Sequence, residues 1–128
     1  MIDETALLCG VEVLLLEPYD DLREAVARWL TADGATVRTA PTASEGLAAV
    51  YRDPPDIVVT ELLVLAGGAS IVSALRRADE RLPVLLTTSQ SHRDVPPLLH
   101  AEICAYLQKP FDLPTLTRLV AGLSRRPR

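Results

Sequence analysis

The chain has 128 residues, of which 48% are hydrophobic and 23% are charged, and its net charge is −4 at pH 7. This length predicts one domain with its own core, and the apolar content excludes a disordered chain. The acidic balance disfavours nucleic-acid binding, and no apolar run approaches the roughly 20 residues that a membrane helix needs. Acids at positions 3 and 4 do not suit a signal peptide, so we expect a cytoplasmic protein without a membrane partner. Cys9 and Cys104 lack metal-ligand spacing and are interpreted as reduced thiols, with Cys104 in the core.

An apolar run at residues 11–16, in which Glu12 is the only charged residue, predicts a first strand that is covered on both faces. Asp20 or Asp21 then offers an N-cap for a helix over residues 21–33, and Gly34 suits the position just after a helix. The alternation at residues 35–40 predicts a half-exposed strand at the edge of a sheet. Five residues of the helix recur at helical spacing and are predicted to face the sheet: Leu22, Ala25, Val26, Trp29 and Leu30.

Two further helices are predicted to flank the next buried run. A capping box between Thr42 and Glu45 opens the second helix, and the pair Pro54-Pro55 stops it. Residues 57–59 form the predicted strand, and the pair Gly67-Gly68 breaks the chain before the third helix. The helix residues predicted to face inward are Leu47, Val50, Tyr51, Ile71, Val72 and Leu75.

The last third of the chain predicts a strand at residues 84–86, a short helix that begins near Pro96, and a strand at residues 104–107. A final helix starts at Asp112 and buries four apolar side chains: Leu113, Leu116, Val120 and Leu123. His92 and His100 lack metal-ligand company and are predicted to face solvent.

Strand and helix alternate five times, which predicts an α/β fold with one doubly wound parallel sheet. Residues 1–10 are interpreted as an N-terminal extension, residues 11–124 as the domain and residues 125–128 as a basic tail. In such folds ligands bind outside the carboxyl ends of the strands. The polar residues predicted to stand at those ends are Glu17, Glu61, Thr88 and Lys109.

The chain resembles the receiver domain of two-component response regulators over residues 11–124. The segments that carry the resemblance are Pro83–Thr88 and Tyr106–Leu113, which includes the run Lys109-Pro110. The resemblance implies a flavodoxin-like (βα)5 fold whose five-stranded parallel sheet has the order 2-1-3-4-5. It also implies a cis Lys109-Pro110 peptide bond that aims the ammonium inward.

In working receivers an acidic pair and a third-strand aspartate hold Mg²⁺, and that aspartate accepts a phosphoryl group from a phosphohistidine. A hydroxyl and a lysine bind the phosphoryl oxygens, and an aromatic side chain turns inward in response. The matching positions here are Glu17 and Pro18 for the acidic pair, Glu61 for the acceptor, Thr88 for the hydroxyl, Lys109 for the lysine and Tyr106 for the aromatic residue. Tyr106 also suits plain core packing, because a tyrosine can bury its ring and keep its hydroxyl wet.

Two of these matches depart from the family pattern. Pro18 has no carboxylate, and Mg²⁺ requires near-ideal octahedral oxygen ligands. Glu61 places its carboxylate roughly 1.5 Å further out than an aspartate would. We therefore expect negligible phosphorylation and no bound metal, with Glu17 and Glu61 as weak Mg²⁺ candidates only if the acidic pocket still functions. Asp20 or Asp21 could substitute for the missing acid, but each is more simply a helix cap.

The sequence thus predicts a pseudo-receiver, not an enzyme, that acts by binding another protein independently of phosphorylation. The expected partner is a signalling protein, a histidine kinase or an output domain, and a homodimer could use the face of the fourth helix, fifth strand and fifth helix. One alternative is a receiver that accepts a phosphoryl group from a histidine kinase. The other is a small flavodoxin-like nucleotide-binding enzyme, which the absence of glycine-rich phosphate motifs disfavours.

Two roles stay open for Glu61. In the first, its longer side chain reaches Lys109 and mimics the phosphorylated state, which holds Thr88 and Tyr106 near an active arrangement. In the second, Glu61 is a solvated carboxylate in a disused pocket. An exposed ion pair contributes only about 0–1 kcal/mol, so Glu61 alone is expected to bias a switch rather than lock it.

Overall fold

The computed structural model describes residues 6–61, 69–91, 93 and 103–124. The strands are β1 Glu12–Leu16, β2 Thr36–Ala40, β3 Ile57–Glu61, β4 Val84–Thr88 and β5 Ala105–Gln108. The helices among these residues are α1 Asp20–Ala32, α2 Ala43–Arg52, α3 Ala69–Ala78 and a C-terminal helix Leu113–Leu123. The strands form one parallel sheet in the order β2-β1-β3-β4-β5, which confirms the predicted fold class and topology.

The core lies on both faces of the sheet, because successive side chains of a strand point to opposite faces. Along β1, Val13 and Leu15 join a cluster with Leu30 of α1 and Leu116 of the C-terminal helix. Leu14 and Leu16 join a second cluster with residues of α2 and α3 that include Val50 and Leu75. Every residue of β3 and β4 is buried, whereas β2 at the edge is only partly covered, as its alternation predicts. Each fully buried Leu or Val contributes roughly 1.5–3 kcal/mol.

The start of α1 differs from the prediction that Asp20 or Asp21 caps the helix. The N-cap is Tyr19, with extended backbone angles (φ −85°, ψ 117°) and no side-chain capping bond. The helix therefore begins one residue earlier, and both aspartates fall in its first turn, where negative charge suits the helix dipole. Asp20 pairs instead with Arg23 at 2.6 Å. The predicted cap of α2 is confirmed, because the Thr42 hydroxyl accepts a hydrogen bond from the Glu45 amide at 3.3 Å.

Several side chains predicted to be buried are exposed, and those predictions were wrong. Cys104 lies just before the edge strand β5, where the sheet ends, and faces solvent. Tyr51 is 60% exposed, because α2 turns its neighbour Val50 toward the sheet instead. Ala25 and Trp29 lie on the outer part of α1. The indole N–H of Trp29 donates to the Thr117 hydroxyl at 2.7 Å and so connects α1 to the C-terminal helix.

Residues 6–10, predicted as part of an extension, pack against the domain. Leu8 is fully buried, and its N–H donates to the Asp33 carbonyl at the end of α1. Gly34 follows that helix with a φ of +107°, as predicted for a glycine at this position. A Cβ on Gly34 would lie 2.8 Å from the Cys9 nitrogen, so the position requires glycine for space as well as conformation.

Some predictions fall on residues that the structure does not describe. These are the Gly67-Gly68 break, the helix start near Pro96, the solvent-facing positions of His92 and His100, and the basic tail at residues 125–128. The fourth-helix part of the predicted dimer face lies there too. Within the described ranges, no helix has the length and apolarity to cross a membrane.

Candidate functional site

The carboxyl ends of the parallel strands bring the predicted polar residues to one edge of the sheet. Glu17 directly follows β1, Glu61 and Thr88 end β3 and β4, and Lys109 directly follows β5. The strand register aligns these ends, since Glu61 lies opposite Thr87 and Thr88 lies opposite Gln108. The sequence-based prediction that these strand ends meet at one edge therefore matches the structure.

Lys109 lies between two buried carboxylates. Its Nζ is 2.9 Å from Glu17 Oε1 and 2.7 Å from Glu61 Oε2. The side chains of Glu17 and Glu61 are only 4% and 3% exposed, and that of Lys109 is 17% exposed. Lys109 is also the sole lysine in the sequence. One ammonium thus serves two carboxylates, which leaves one negative charge in excess within the cluster.

The two carboxylates hold the ammonium differently. Glu17 Oε1 accepts a hydrogen bond from Nζ. Glu61 Oε2 is closer, but its approach lies outside hydrogen-bond geometry, and it has no hydrogen-bond donor among the described residues. The contact with Glu61 is therefore an ion pair. Burial lowers the pKa of Lys109, but its contacts with Glu61 and Glu17 outweigh burial and raise that pKa above the usual value.

The expectation that Glu61 could be a solvated carboxylate was wrong. Glu61 is 3% exposed because it ends β3, a strand that lies between β1 and β4. A carboxylate at this depth needs a counter-charge, and Lys109 provides it.

The loop after β1 fixes Glu17 in place. The Glu17 N–H donates to the Ala40 carbonyl at 3.1 Å, and its carbonyl accepts a hydrogen bond from Arg23 at 2.8 Å. Its second carboxylate oxygen accepts from the Tyr19 N–H at 3.1 Å. The Tyr19 ring lies beneath the Lys109 ammonium, with 5.9 Å between Nζ and the ring centroid. Tyr19 and Arg23 were not identified from the sequence, because no motif distinguishes them from ordinary surface residues.

Thr88 and Tyr106 connect to this cluster through the backbone. The Lys109-Pro110 bond is cis, as the resemblance implied, and the Lys109 N–H donates to the Thr88 carbonyl at 2.7 Å. The Thr88 hydroxyl accepts from the Gln90 N–H at 3.1 Å, while the Tyr106 hydroxyl donates to the Gln90 carbonyl. Tyr106 is half-buried. Gln90, which sequence reasoning missed, thus contacts both Thr88 and Tyr106.

The other positions considered for a metal ligand do not join the cluster. Pro18 supplies no oxygen from its side chain, and the Asp20 side chain is 83% exposed in its pair with Arg23. Glu17 and Glu61 each have one carboxylate oxygen against the Lys109 ammonium. Among the residues that the structure describes, no group of three or more acids, histidines or cysteines could hold a metal ion.

An apolar groove of about 370 Å³ adjoins the site on the side of α1. It runs between α1 and the segment that leads from β5 into the C-terminal helix. Lys109 therefore borders both the groove and the acidic cluster. The groove is lined by Leu22, Ala25, Val26, Lys109, Pro110, Phe111 and Leu113.

Comparisons with known proteins agree with this geometry. The family model for the response regulator receiver domain matches residues 13–121. The chain is similar to the transcriptional regulatory protein PrrA of Mycobacterium bovis, with 33% identity over 116 residues that cover 89% of this chain and 50% of PrrA. It is also similar to the transcriptional regulatory protein TcrA of Mycobacterium tuberculosis, with 33% identity over 119 residues that cover 91% of this chain and 47% of TcrA. The chain thus spans about half the length of these curated relatives.

Solved structures support the same fold. A response regulator receiver domain protein from Clostridium thermocellum superposes with a TM-score of 0.79 at 20% identity, covering 88% of this chain and 93% of that one. The receiver domain of the Francisella response regulator 1452 superposes with a TM-score of 0.80 at 21% identity, covering 92% of this chain and 99% of that one. At such identities the likeness establishes the fold alone.

Proposed function

The chain belongs to the response regulator receiver domain family, and from this premise we propose that it is an atypical member that signals without being phosphorylated. A receiver is a signalling domain rather than an enzyme, so the alternative of a nucleotide-binding enzyme is set aside. The proposal concerns this domain, since the curated relatives are about twice as long. In it, the domain acts by binding another protein, and its own residues bias the state of the pocket.

The observation that carries the proposal is the sharing of Lys109 between Glu17 and Glu61. In the phosphorylation reaction of the family, an incoming phosphoryl group needs the lysine, a metal and an aspartate at the acceptor position. Here the lysine is committed to two buried carboxylates, and no carboxylate stands at Pro18 to complete a metal site. The acceptor position holds a glutamate whose oxygen already lies against the ammonium.

Phosphoryl transfer depends on in-line positioning and on cations that neutralise the phosphoryl oxygens. A displacement of about 1 Å can cost roughly 100-fold in rate, and the extra methylene of Glu61 displaces the carboxylate by more than that. The weakened metal site adds an independent loss. Together these defects support negligible phosphorylation.

We further propose that Glu61 mimics the phosphorylated state. The carboxylate contacts the Lys109 ammonium, Lys109 bonds to the Thr88 carbonyl, and Thr88 and Tyr106 meet at Gln90. These contacts form a continuous route from the acceptor position to β4 and β5. Because Lys109 is shared with Glu17, which still pairs with it when Glu61 is removed, the contribution of Glu61 is expected to bias the equilibrium rather than to lock it.

The expected partner is a signalling protein, a histidine kinase or an output domain. A homodimer through the face of the fourth predicted helix, β5 and the C-terminal helix is the alternative arrangement. Nucleic-acid binding by this domain is not expected, because its net charge is −4.

Phosphorylation is tested by incubating the purified domain with Mg²⁺ and acetyl phosphate and measuring its intact mass. We expect no adduct of about 80 Da, the mass of one phosphoryl group. The double variant Pro18→Asp/Glu61→Asp restores the family residues and serves as the positive control, which is expected to gain the adduct. A stoichiometric adduct on Glu61 of the unaltered domain would refute the proposal.

The same experiment decides the competing function, a receiver that a histidine kinase phosphorylates. The retention of Thr88 and Lys109 favours that alternative. It requires the adduct to form on the unaltered chain and a divalent cation to accelerate the reaction.

Mimicry is tested by NMR of the backbone amides of Gln90 and Tyr106. Glu61→Ala removes the ion pair and is expected to shift both amide signals, whereas Asp20→Asn removes an exposed ion pair and should leave them unchanged. Unchanged signals in Glu61→Ala would show that the carboxylate does not act on β4 and β5.

A further inference from the structure

Tyr19 is exposed to solvent and yet contacts the buried site. Its side chain is 57% exposed, while its ring lies 5.9 Å from the Lys109 ammonium. From this geometry we infer that Tyr19 is a positioning residue that covers Lys109 and controls which molecules reach the ammonium.

The backbone of Tyr19 is placed by the same carboxylate that holds Lys109. Glu17 accepts hydrogen bonds from the Tyr19 N–H through one oxygen and from Lys109 Nζ through the other. Arg23 braces the same loop, since it donates to the Glu17 carbonyl and to Asp20. These hydrogen bonds therefore hold the backbone of Tyr19 beside the ammonium.

The side chain of Tyr19, in contrast, is free to act as a cover. It makes no N-capping bond to α1, so the helix does not require it. An aromatic face within about 6 Å of a cation attracts it, and at exposed sites this attraction is weak enough for the ring to leave and return. Lys109 is 17% exposed with the ring in place. The covered state is thus expected to outweigh the open state by about two- to fivefold.

The inference rests on the proposed function for its role in signalling. It adds to that function the residue that restricts entry to the same pocket. A small solute reaches Lys109 past the ring, whereas a large group requires the ring to move. The experiment below involves no phosphoryl group, so its result is separable from the outcome of the phosphorylation test.

The test uses the fact that Lys109 is the only lysine in the chain. The folded domain is labelled with a small reagent, an acetyl ester that reacts with amines, and separately with a bulky biotin ester of the same reactivity. Peptide mapping by mass spectrometry separates Lys109 from the N-terminal amine. Dividing the bulky rate by the small rate cancels the deprotonated fraction of Lys109, which both reagents share.

The informative variant is Tyr19→Ser, because it removes the ring and supplies a side chain that suits an N-cap, so the domain is expected to fold. Tyr51→Ser is the matched control, since Tyr51 is 60% exposed and lies on α2. We expect the rate ratio to rise about three- to sixfold in Tyr19→Ser. It should stay unchanged in Tyr51→Ser and in Tyr19→Phe, which keeps the ring.

An unchanged ratio in Tyr19→Ser would overturn the inference. An equal rise in Tyr51→Ser would do the same, because the effect would then not depend on the position over Lys109. Thermal melts of each variant establish that the labelled protein is folded.

Discussion

Replacing Lys109 with Met removes the counter-charge of two carboxylates that are at most 4% exposed, while it keeps most of the apolar stem. Breaking a buried ion pair costs about 3–5 kcal/mol, because the partner is left buried and charged. Lys109 itself is 17% exposed, so the lower end, about 3 kcal/mol, is expected. At an unfolding entropy of about 2.1 cal/mol/K per residue, a chain of 128 residues then loses about 11 °C in Tm.

Urea unfolding at pH 7, followed by circular dichroism, measures this loss. We expect the midpoint to fall without a change in m-value, since the surface exposed on unfolding is nearly the same. Asp20→Asn is the matched control, because it removes an ion pair that is equally short at 2.6 Å but has an 83% exposed carboxylate, and it should cost at most about 1 kcal/mol.

A double variant separates the effect of the unpaired charge on stability from the effect of packing. Lys109→Met/Glu61→Gln removes one of the two stranded carboxylates and is expected to recover at least about 1 kcal/mol relative to Lys109→Met. If Lys109→Met lies within about 0.5 kcal/mol of the unaltered domain, the cluster is solvated and the reasoning about a buried shared ammonium is wrong.

Three other predictions concern Gly34, Trp29 and the pH dependence of stability. Gly34→Ala forces a side chain into a φ of +107° and toward the Cys9 backbone, so urea unfolding should show a loss of at least about 2 kcal/mol. Trp29→Phe leaves the buried Thr117 hydroxyl without its donor and should cost about 1 kcal/mol, whereas equal stability would make that hydrogen bond unimportant. The pKa of Lys109 is raised in the fold, so its contribution is complete below the unfolded value of about 10.4 and is lost as pH rises through the folded pKa. Unfolding free energies of the unaltered domain and of Lys109→Met should therefore run parallel up to about pH 10.4, and above it those of the unaltered domain should fall more steeply. Curves that stay parallel throughout would contradict this linkage.

The sequence by itself determined the architecture of the domain. Unbroken apolar runs require strands that are covered on both faces, and their alternation with amphipathic helices leaves the parallel sheet as the packing solution. The same logic put Glu17, Glu61, Thr88 and Lys109 at one edge, because parallel strands end together. These conclusions depend on periodicity and strand direction, which are local properties of the chain.

Only the tertiary structure decided how those side chains meet. Lys109 and Glu17 are 92 positions apart, and whether one ammonium reaches one carboxylate or two depends on the packing of β1, β3 and β5. The structure also put Tyr19 under Lys109 and exposed Cys104, because a loop conformation and the limit of a sheet are set by neighbours that no local pattern encodes. The free energy of apolar burial tolerates small shifts of the chain, whereas the energy of an ion pair changes with each ångström of separation. For that reason the fold followed from the residue pattern and the chemistry of the site did not.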